Sequence, residues 1–286
     1  MKQIKKVLVT GANGYIGRHV VAELIKRGTS VIAVDAKTDR LDDKANPVTS
    51  DIFSGSKDFY QKNGSPDVCI HLAWKDGFSH NSDSHIKLLS SHYSFIKDLI
   101  DAGLPHLTVM GSMHEVGFYE GMIDENTPCN PLSLYGIAKD ALRRSLSNLT
   151  ARSNTNFQWL RGFYVYGDDE NNHSVFTKII EAEMRGEKSF PFTNGDNLHD
   201  FIHVSELAKM IVASALQENI IGIINCCSGK PVRIGDQVES FIKEKNFHIS
   251  LAYGVFKDRP YDSPAIWGDN SKIQQILQSE SHFSNS

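Results

Sequence analysis

The glycine-rich segment "VLVTGANGYIGRHV" constrains the fold of this chain more than any other stretch. Gly11, Gly14 and Gly17 lie between an apolar run, which predicts a strand, and an amphipathic run, which predicts a helix. The first glycine permits a tight turn, the second lets the backbone approach a pyrophosphate, and the third allows close packing of helix and sheet. An anion would lie at the helix N-terminus. The segment therefore predicts a dinucleotide-binding unit.

An acidic residue, Asp35, ends the next predicted strand. A carboxylate there accepts hydrogen bonds from ribose hydroxyls and repels a 2′-phosphate, so NAD(H) is the favoured cofactor. Lys37 and Arg40 lie close enough to offer a phosphate some charge, which leaves NADP(H) as an alternative. Further cofactor contacts are predicted at Asn13, Tyr15, Ile16, Asp51, Ile52, Leu72, Ala73 and Trp74, with Asp51 and Ile52 at the adenine ring.

Short apolar runs alternate with longer amphipathic runs through the first half of the chain. Strands are predicted at 4–10, 30–35, 47–52, 67–74, 106–112 and 156–163, and helices at 14–28, 82–103 and 131–152. This alternation predicts an α/β fold with a Rossmann-type doubly wound parallel sheet, whose ligands bind at the carboxyl ends of the strands.

The pattern changes after about residue 165, where short helices (173–186 and 204–217) mix with an isolated strand (222–228) and loops. We therefore expect residues 1–165 to form the NAD(P)-binding Rossmann domain, completed by return segments from the second half. Residues 166–286 are expected to form mainly a smaller, mixed carboxyl-terminal lobe that binds the substrate.

Composition narrows the class of protein. The 286 residues carry a net charge of −4, which argues against a nucleic-acid partner. The apolar stretch at the amino terminus is too short for a signal peptide or a membrane span. The four cysteines form no C-x-x-C pair and no zinc spacing, and Cys69 and Cys226 lie in apolar runs typical of buried thiols. We expect a reduced, cytoplasmic protein with no metal and no membrane partner.

The segment "YGIAK" places Tyr135 and Lys139 four residues apart, on one face of a predicted helix. A tyrosine hydroxyl has a pKa near 10, and a nearby lysine ammonium together with an oxidised nicotinamide should lower it. Ser112 ends the fifth predicted strand, from which it can hydrogen-bond the same substrate oxygen. Ser, Tyr and Lys on a dinucleotide fold suit proton transfer at an alcohol or ketone while a hydride moves at its carbon.

Several blocks occur in the order typical of one enzyme family: "TGANGYIG", "HLAW", "GS…VG", "LYGIAK", "LRGFYVYG", "DFIHVSELA", "INCCSG" and "RPYDSPAIWGDNSKIQQIL". The chain resembles the extended short-chain dehydrogenases/reductases of the NAD-dependent epimerase/dehydratase family. The resemblance implies a cytoplasmic homodimer acting on a sugar linked to a nucleoside diphosphate. It assigns Arg259 to the substrate diphosphate, while His199 stands where many members carry a second arginine.

The residues after Ser112 separate the reactions of this family. Dehydratases carry Asp-Glu where this chain has Met113 and His114, and methionine cannot transfer a proton. A 4-epimerase would need only Ser112, the Tyr–Lys pair and NAD. Bifunctional 3,5-epimerase/4-reductases carry a Cys at the position of His114 and a His at that of His173. A His114/His173 acid–base pair is therefore an alternative, beside simple hydrogen-bonding and helix-capping roles.

The segment "GSMHEVG" together with "NPLSLYGIAK" most resembles reductases of nucleotide-linked 4-keto-6-deoxyhexoses, for example those that convert dTDP-4-keto-6-deoxyglucose to dTDP-fucose for surface polysaccharides. In that reaction Tyr135 would protonate oxygen 4, Lys139 would hold the nicotinamide ribose, and Ser112 would position the carbonyl. Glu115 is expected to point away from Ser112 on extended backbone and to be structural. The substrate-binding residues are expected to be Trp74, Ser112, Met113, His114, Tyr164 and Arg259.

Overall fold

A computed structural model of the chain describes residues 6–55, 58–167, 174–257 and 263–284. The strands are β1 (Lys6–Thr10), β2 (Ser30–Asp35), β3 (Pro47–Thr49), β4 (Val68–His71), β5 (His106–Ser112), β6 (Gly121–Ile123), β7 (Asn156–Gly162), β8 (Tyr164–Tyr166), β9 (Ser189–Pro191), β10 (Leu198–His203), β11 (Gly222–Cys226), β12 (Pro231–Arg233), β13 (Ser250–Ala252) and β14 (Ala265–Gly268). The helices are α1 (Tyr15–Lys26), α2 (Phe59–Lys62), α3 (Ser84–Lys87), α4 (Leu89–Asp101), α5 (Leu134–Thr150), α6 (Val175–Met184), α7 (Val204–Ala215), α8 (Ile234–Glu244) and α9 (Ser271–Ser284).

A seven-stranded sheet carries the fold, in the order β11-β7-β5-β4-β1-β2-β3. Every neighbouring pair in it is parallel. The chain runs outward from β1 to β3 on one side and from β4 to β11 on the other, so the order reverses between β1 and β4. Ligands of open α/β sheets bind at such a reversal. The predicted Rossmann-type doubly wound sheet is confirmed.

Helices cover both faces of this sheet and bury its apolar side chains. On one face α1, α7 and α9 pack together, with Leu24 and Ile211 fully buried among them. On the other face α4 and α5 pack on the strands through Leu99 and Leu142. Because both faces are covered, the strands read as continuous apolar runs rather than alternating ones. Complete burial of one such side chain contributes about 1.5–3 kcal/mol.

The carboxyl-terminal part adds a second, smaller sheet. Its strand order is β12-β10-β14-β6, and β8 also pairs with β10. The sheet is mixed, because β10 pairs antiparallel with β12 and parallel with β14 and β8. β6 comes from the first half of the chain, which ties the two parts together. A cluster that includes Phe176, Phe201 and Phe241 forms the core of this lobe.

Three local expectations differ from the structure. The helix predicted over 82–103 is two helices, α3 and α4, that meet at Leu88. His85 in α3 accepts a hydrogen bond from Trp74 and lies 3.0 Å from the Ser79 carbonyl, and these two contacts hold α3 against the loop that follows β4. The run 222–228, read as an isolated strand, supplies β11 at the edge of the main sheet. The strand predicted over 67–74 ends at His71. Cys69 and Cys226 are buried free thiols, as predicted.

Gln158 on β7 links the sheet to the end of α7 and provides a test of the core. It is fully buried, accepts a hydrogen bond from Thr108, and donates to the carbonyls of Ser214 and Ile220. Gln158→Leu should lower the free energy of unfolding by about 1–3 kcal/mol, because it leaves a buried hydroxyl without its acceptor. Urea titration measures the loss, with the exposed Ser145→Ala variant as a control expected within about 0.5 kcal/mol. Equal stabilities of the two variants would contradict a stabilising role for the Gln158 hydrogen bonds.

Candidate functional site

A cleft of about 2300 Å³, including its solvent-filled mouth, lies along the carboxyl ends of the main strands. It runs from the glycine-rich turn, past the ends of β2 and β4, to the end of β5 and the start of α5. The predicted site residues that line it are Gly11, Asn13, Gly14, Tyr15, Ile16, Gly17, Asp35, Asp51, Ile52, Leu72, Ala73, Trp74, Ser112, His114, Tyr135 and Lys139. The structure thus brings most of the predicted residues to one surface.

The glycine-rich turn fits the pyrophosphate of a dinucleotide. Gly11 has a φ of 68°, which favours glycine, and a Cβ there would lie 2.5 Å from the Ala73 amide nitrogen. A Cβ on Gly17 would lie only 2.0 Å from the Gly11 carbonyl oxygen. The missing side chains bring the first turn of α1 directly to the end of β1. The helix N-terminus, with its positive dipole end, therefore faces the cleft.

The end of β2 carries negative charge into the cleft. The Asp35 carboxylate accepts the backbone N–H of Asn13 at 3.0 Å, which ties it to the glycine-rich turn. The Asn13 side chain donates to Asp39 at 3.0 Å, a second carboxylate that the sequence reading missed. Lys37 also lines the cleft. Two carboxylates at this end suit free ribose hydroxyls better than a 2′-phosphate.

Ser112, Tyr135 and Lys139 meet at the far end of the cleft. Ser112 and Lys139 are 7% and 4% exposed. Burial raises the pKa of Tyr135 to about 12, an effect that a hydrogen bond with Ser112 only partly offsets and that the Glu115 charge reinforces. Burial lowers the pKa of Lys139 to about 7. The protein groups by themselves therefore do not lower the pKa of Tyr135, and the lowering expected from the ammonium together with an oxidised nicotinamide stays a prediction.

The position of Lys139 explains this difference. Its ammonium donates to the Met110 carbonyl at 2.7 Å and lies 3.7 Å above the centre of the Trp74 ring. It is 5.8 Å from the centre of the Tyr135 ring. Trp74 thus contributes a cation–π contact to the lysine, in addition to lining the cleft.

Imidazole rings surround Tyr135. His80 stacks on it with ring centres 5.2 Å apart, and His85 and His114 approach with centres 5.3 and 6.1 Å away. His80 also lies 4.3 Å from His114 and lines the cleft. The sequence reading missed His80 and His85, because nothing in the spacing of the loop after β4 shows that it folds back over α5. Gly136 permits this crowding, since a Cβ there would lie 2.3 Å from the His114 carbonyl.

A row of buried, hydrogen-bonded polar side chains packs against the Trp74 ring. Thr10 hydrogen-bonds His71 at 2.8 Å, and His71 hydrogen-bonds His92 at 2.9 Å. The Trp74 ring stacks on His92 with ring centres 4.5 Å apart. Burial lowers the pKa of His92 to about 3 and lowers that of His71 as well, with the Lys139 charge adding to both. Both imidazoles are therefore neutral at neutral pH.

His114 is a weak base in this site. Burial, with His80 and His199 nearby, lowers its pKa to about 3. Its backbone N–H donates to the Ser112 hydroxyl, and its ring lies 6.4 Å from that of Tyr164. Tyr164 in turn packs on His199, with ring centres 4.1 Å apart.

Two predicted site residues, His173 and Arg259, lie outside the described residues. Met113, predicted to contact substrate, is 4% exposed and packs in a core cluster with Ile123 and Phe163. The chain turns into a short 3₁₀ helix, Met113–Glu115, directly after Ser112, and this turn directs the methionine into the core. The structure therefore does not bring Met113 to the cleft.

The same turn overturns the expectation for Glu115. Its carboxylate points back and accepts the Ser112 N–H at 2.6 Å, because the backbone is helical rather than extended. The residue is fully buried, with Trp159, Arg143 and Arg161 around it. A sequence signal existed: Ser112 and Glu115 have the Ser-x-x-Glu spacing of a capping box.

Metal and membrane features are absent from the described part of the chain. Within it, no group of three or more His, Cys, Asp or Glu side chains could hold a metal ion. Over the same residues, none of the helices combines the length and apolar character that crossing a bilayer requires.

Comparison with known proteins identifies the family of this chain and two of its relatives. A sequence model of the "NAD dependent epimerase/dehydratase family" matches residues 7–227. The chain is 41% identical over 276 residues to a dTDP-6-deoxy-L-talose 4-dehydrogenase (NAD(+)) of Aggregatibacter actinomycetemcomitans, covering 92% of this chain and 98% of the relative. It is 23% identical over 288 residues to a GDP-6-deoxy-D-talose 4-dehydrogenase of the same organism, covering 97% and 93%.

A solved structure from a different protein has a similar fold. The structure of MoeE5 in complex with UDP-glucuronic acid and NAD superposes with a TM-score of 0.79 at 26% identity. The match covers 96% of this chain and 92% of MoeE5.

Replacing Gly17 tests the glycine-rich turn. Because a Cβ at this position would meet the backbone of Gly11, Gly17→Ala must push α1 away from β1. If the displacement costs about 1–3 kcal/mol, as overpacking typically does, NADH should bind about 5- to 150-fold more weakly. Fluorescence titration of NADH measures the change. Gly28→Asn is the control, because Gly28 has a positive φ but nothing lies within 4 Å of its Cβ position; equal losses in both variants would contradict the steric role of Gly17.

Proposed function

Because the chain belongs to the NAD-dependent epimerase/dehydratase family, we propose that it interconverts a 6-deoxyhexose and its 4-keto form on a nucleoside diphosphate, working as a 4-keto reductase with NADH. The observation that carries the proposal is the placement of Ser112, Tyr135 and Lys139 together at the end of the cofactor cleft. A tyrosine that holds its proton at neutral pH is the acid that reduction of a ketone requires.

The name of the 41% identical relative supports the substrate class. That protein is a dTDP-6-deoxy-L-talose 4-dehydrogenase acting with NAD. Oxidation of a C4 hydroxyl with NAD and reduction of a C4 ketone with NADH are one reaction in two directions, so a single site catalyses both. We therefore favour a dTDP-linked sugar and place a 6-deoxy-talose product ahead of the fucose configuration.

Each residue of the site has one task in this proposal. NAD(H) supplies or accepts the hydride when it is bound. Tyr135 gives its proton to oxygen 4 in reduction and removes it in oxidation. Ser112 hydrogen-bonds the tyrosine hydroxyl and is available to the same oxygen. The Lys139 ammonium adds positive charge that stabilises the phenolate as the proton leaves.

A bifunctional epimerase/reductase is less well supported. Epimerisation at carbons 3 and 5 needs a base able to remove a C–H proton, and the pKa of His114 is about 3. A group that holds a proton so weakly is a poor base at neutral pH. The His114 imidazole, with its low pKa, is better suited to hydrogen-bonding a sugar hydroxyl.

The decisive experiment offers dTDP-, GDP-, CDP- and UDP-linked 4-keto-6-deoxyhexoses with NADH or NADPH in deuterated water. We expect NADH consumption with a dTDP-linked ketone, and no deuterium at carbons 3 or 5. Tyr135→Phe should slow turnover by about 10²–10⁴-fold, whereas Tyr93→Phe, on α4, should not. Deuterium uptake would favour the bifunctional enzyme. No net NADH oxidation with any of these ketones would contradict the reductase and favour a 4-epimerase, which acts on C4-hydroxy sugars.

The pH dependence should differ between the two directions. Reduction needs neutral Tyr135 and charged Lys139, so kcat/KM should be constant below pH about 7 and fall about tenfold per unit above it, as the ammonium is lost. Oxidation needs the phenolate with the same ammonium, so it should rise about tenfold per unit up to pH about 7 and then level off. Initial rates from about pH 5.5 to about pH 9 measure both profiles around these pKa values. A reduction rate that increases above pH about 7 would contradict the assignment.

A further inference from the structure

We propose that Glu115 is a positioning residue for the C4 proton transfer, fixing Ser112 at the end of β5 so that its hydroxyl meets Tyr135. The inference rests on the proposed role of Ser112 and Tyr135. It concerns a residue that touches neither cleft nor cofactor turn: Glu115 is fully buried and does not line the cleft.

The contact with Ser112 is direct. One carboxylate oxygen of Glu115 accepts the Ser112 N–H at 2.6 Å, and the Ser112 hydroxyl accepts the His114 N–H at 3.3 Å. Together they form a capping box that closes the 3₁₀ turn. The turn fixes the backbone at the last residue of β5. The direction of the Ser112 side chain therefore depends on the carboxylate behind it.

The neighbours of Glu115 are groups that donate hydrogen bonds to a carboxylate or carry positive charge. The Trp159 indole N–H lies 2.9 Å from both of its oxygens, and the guanidinium nitrogens of Arg143 and Arg161 lie 3.6 and 3.7 Å away. All of these neighbours are donors or cations. Burial raises the pKa of Glu115, but the ionised form is the one that every neighbour satisfies.

The fold reserves space for this arrangement. Gly111 precedes Ser112, and a Cβ there would lie 2.1 Å from the Trp159 indole nitrogen and 2.7 Å from a Glu115 oxygen. Any other residue at position 111 would separate the indole from the carboxylate. Arg161 is itself fully buried and donates to the Asp124 carbonyl at 2.9 Å, so the positive side of the cluster is also fixed.

The charge of Glu115 also acts on the two residues that handle the proton. Its negative charge raises the pKa of Tyr135 and that of Lys139. Both effects keep protons in place: the tyrosine stays an acid and the lysine stays an ammonium. Glu115 thus holds the site in the protonation state that reduction needs.

The test compares Glu115→Gln with Glu115→Ala. Glutamine keeps an acceptor for the Ser112 and Trp159 N–H groups but removes the charge, whereas alanine removes both. A displacement of about 1 Å at a reacting group costs about 10²-fold in rate, so we expect kcat to fall about 100-fold in the alanine variant and about tenfold in the glutamine variant. KM should stay within about twofold, because Glu115 does not touch the cleft.

Two readouts separate positioning from a merely structural role. In both variants the pH at which the rates change slope should move below its wild-type value, since the charge that supports the Lys139 ammonium is gone. Amide hydrogen exchange at Ser112 in the ligand-free protein should accelerate at least about tenfold in the alanine variant and stay near wild type in the glutamine variant. Glu125→Gln is the matched control, since that carboxylate pairs with Lys272 on the surface.

The pH readout must be interpreted against the other groups nearby. The polar and titratable groups that face Tyr135 and Lys139 are Ser112, His71, His80, His85, His92, His114 and Glu115, and those that face Glu115 are Arg143, Arg161 and Cys129. All of them except Glu115 are unchanged in the variants, so a shift common to both reports the lost carboxylate.

The outcomes are distinct from those of the proposed function. A lower melting temperature with unchanged kcat, pH profile and Ser112 exchange would overturn the positioning role and leave the reductase intact. If the wild-type protein proves to be a 4-epimerase, the same variants are assayed on that reaction, which also uses Ser112 and Tyr135. The exchange measurement needs no substrate, so it tests the contact whatever the reaction is.

Discussion

The contact between the start of α1 and the end of β1 is the constraint on which the cleft depends. No side chain fits between Gly17 and the Gly11 carbonyl, so the helix begins directly at the carboxyl end of β1. The helix N-terminus then faces the point where the strand order reverses, which is where parallel sheets leave a crevice. The carboxylates at the end of β2 and the residues at the ends of β4 and β5 all converge on that crevice.

Burial is the main influence on the pKa values at the end of the cleft that holds Tyr135 and Lys139. Tyr135, Lys139, His92 and His114 all shift toward their neutral forms, because charged forms are costly where water is scarce. Burial raises the pKa of Glu115 in the same sense, but here Arg161, the Ser112 N–H and the Trp159 indole oppose the shift. A buried negative charge has more influence on its neighbours than the same charge at the surface.

Much of the fold could be predicted from the sequence, because strand and helix periodicities and the glycine spacing are local properties. The placement of Ser112, Tyr135 and Lys139 in one cleft was predictable once the strand and the helix that carry them were assigned. The loop after β4 was not: its stacking of His80 on Tyr135 depends on contacts with α5, about fifty residues away along the chain. The turn at Glu115 depends on Trp159, 44 residues along the chain, although the Ser-x-x-Glu spacing was a local signal.

Trp74 and Glu115 both influence Lys139. The Trp74 ring attracts the Lys139 ammonium by a cation–π contact, and the Met110 carbonyl accepts its hydrogen bond. The negative charge of Glu115 favours the same ammonium by raising the pKa of Lys139. These groups are part of the folded protein, so their effect on the Lys139 ammonium is present before any substrate enters. The protein therefore sets the state of the lysine before substrate and cofactor bind.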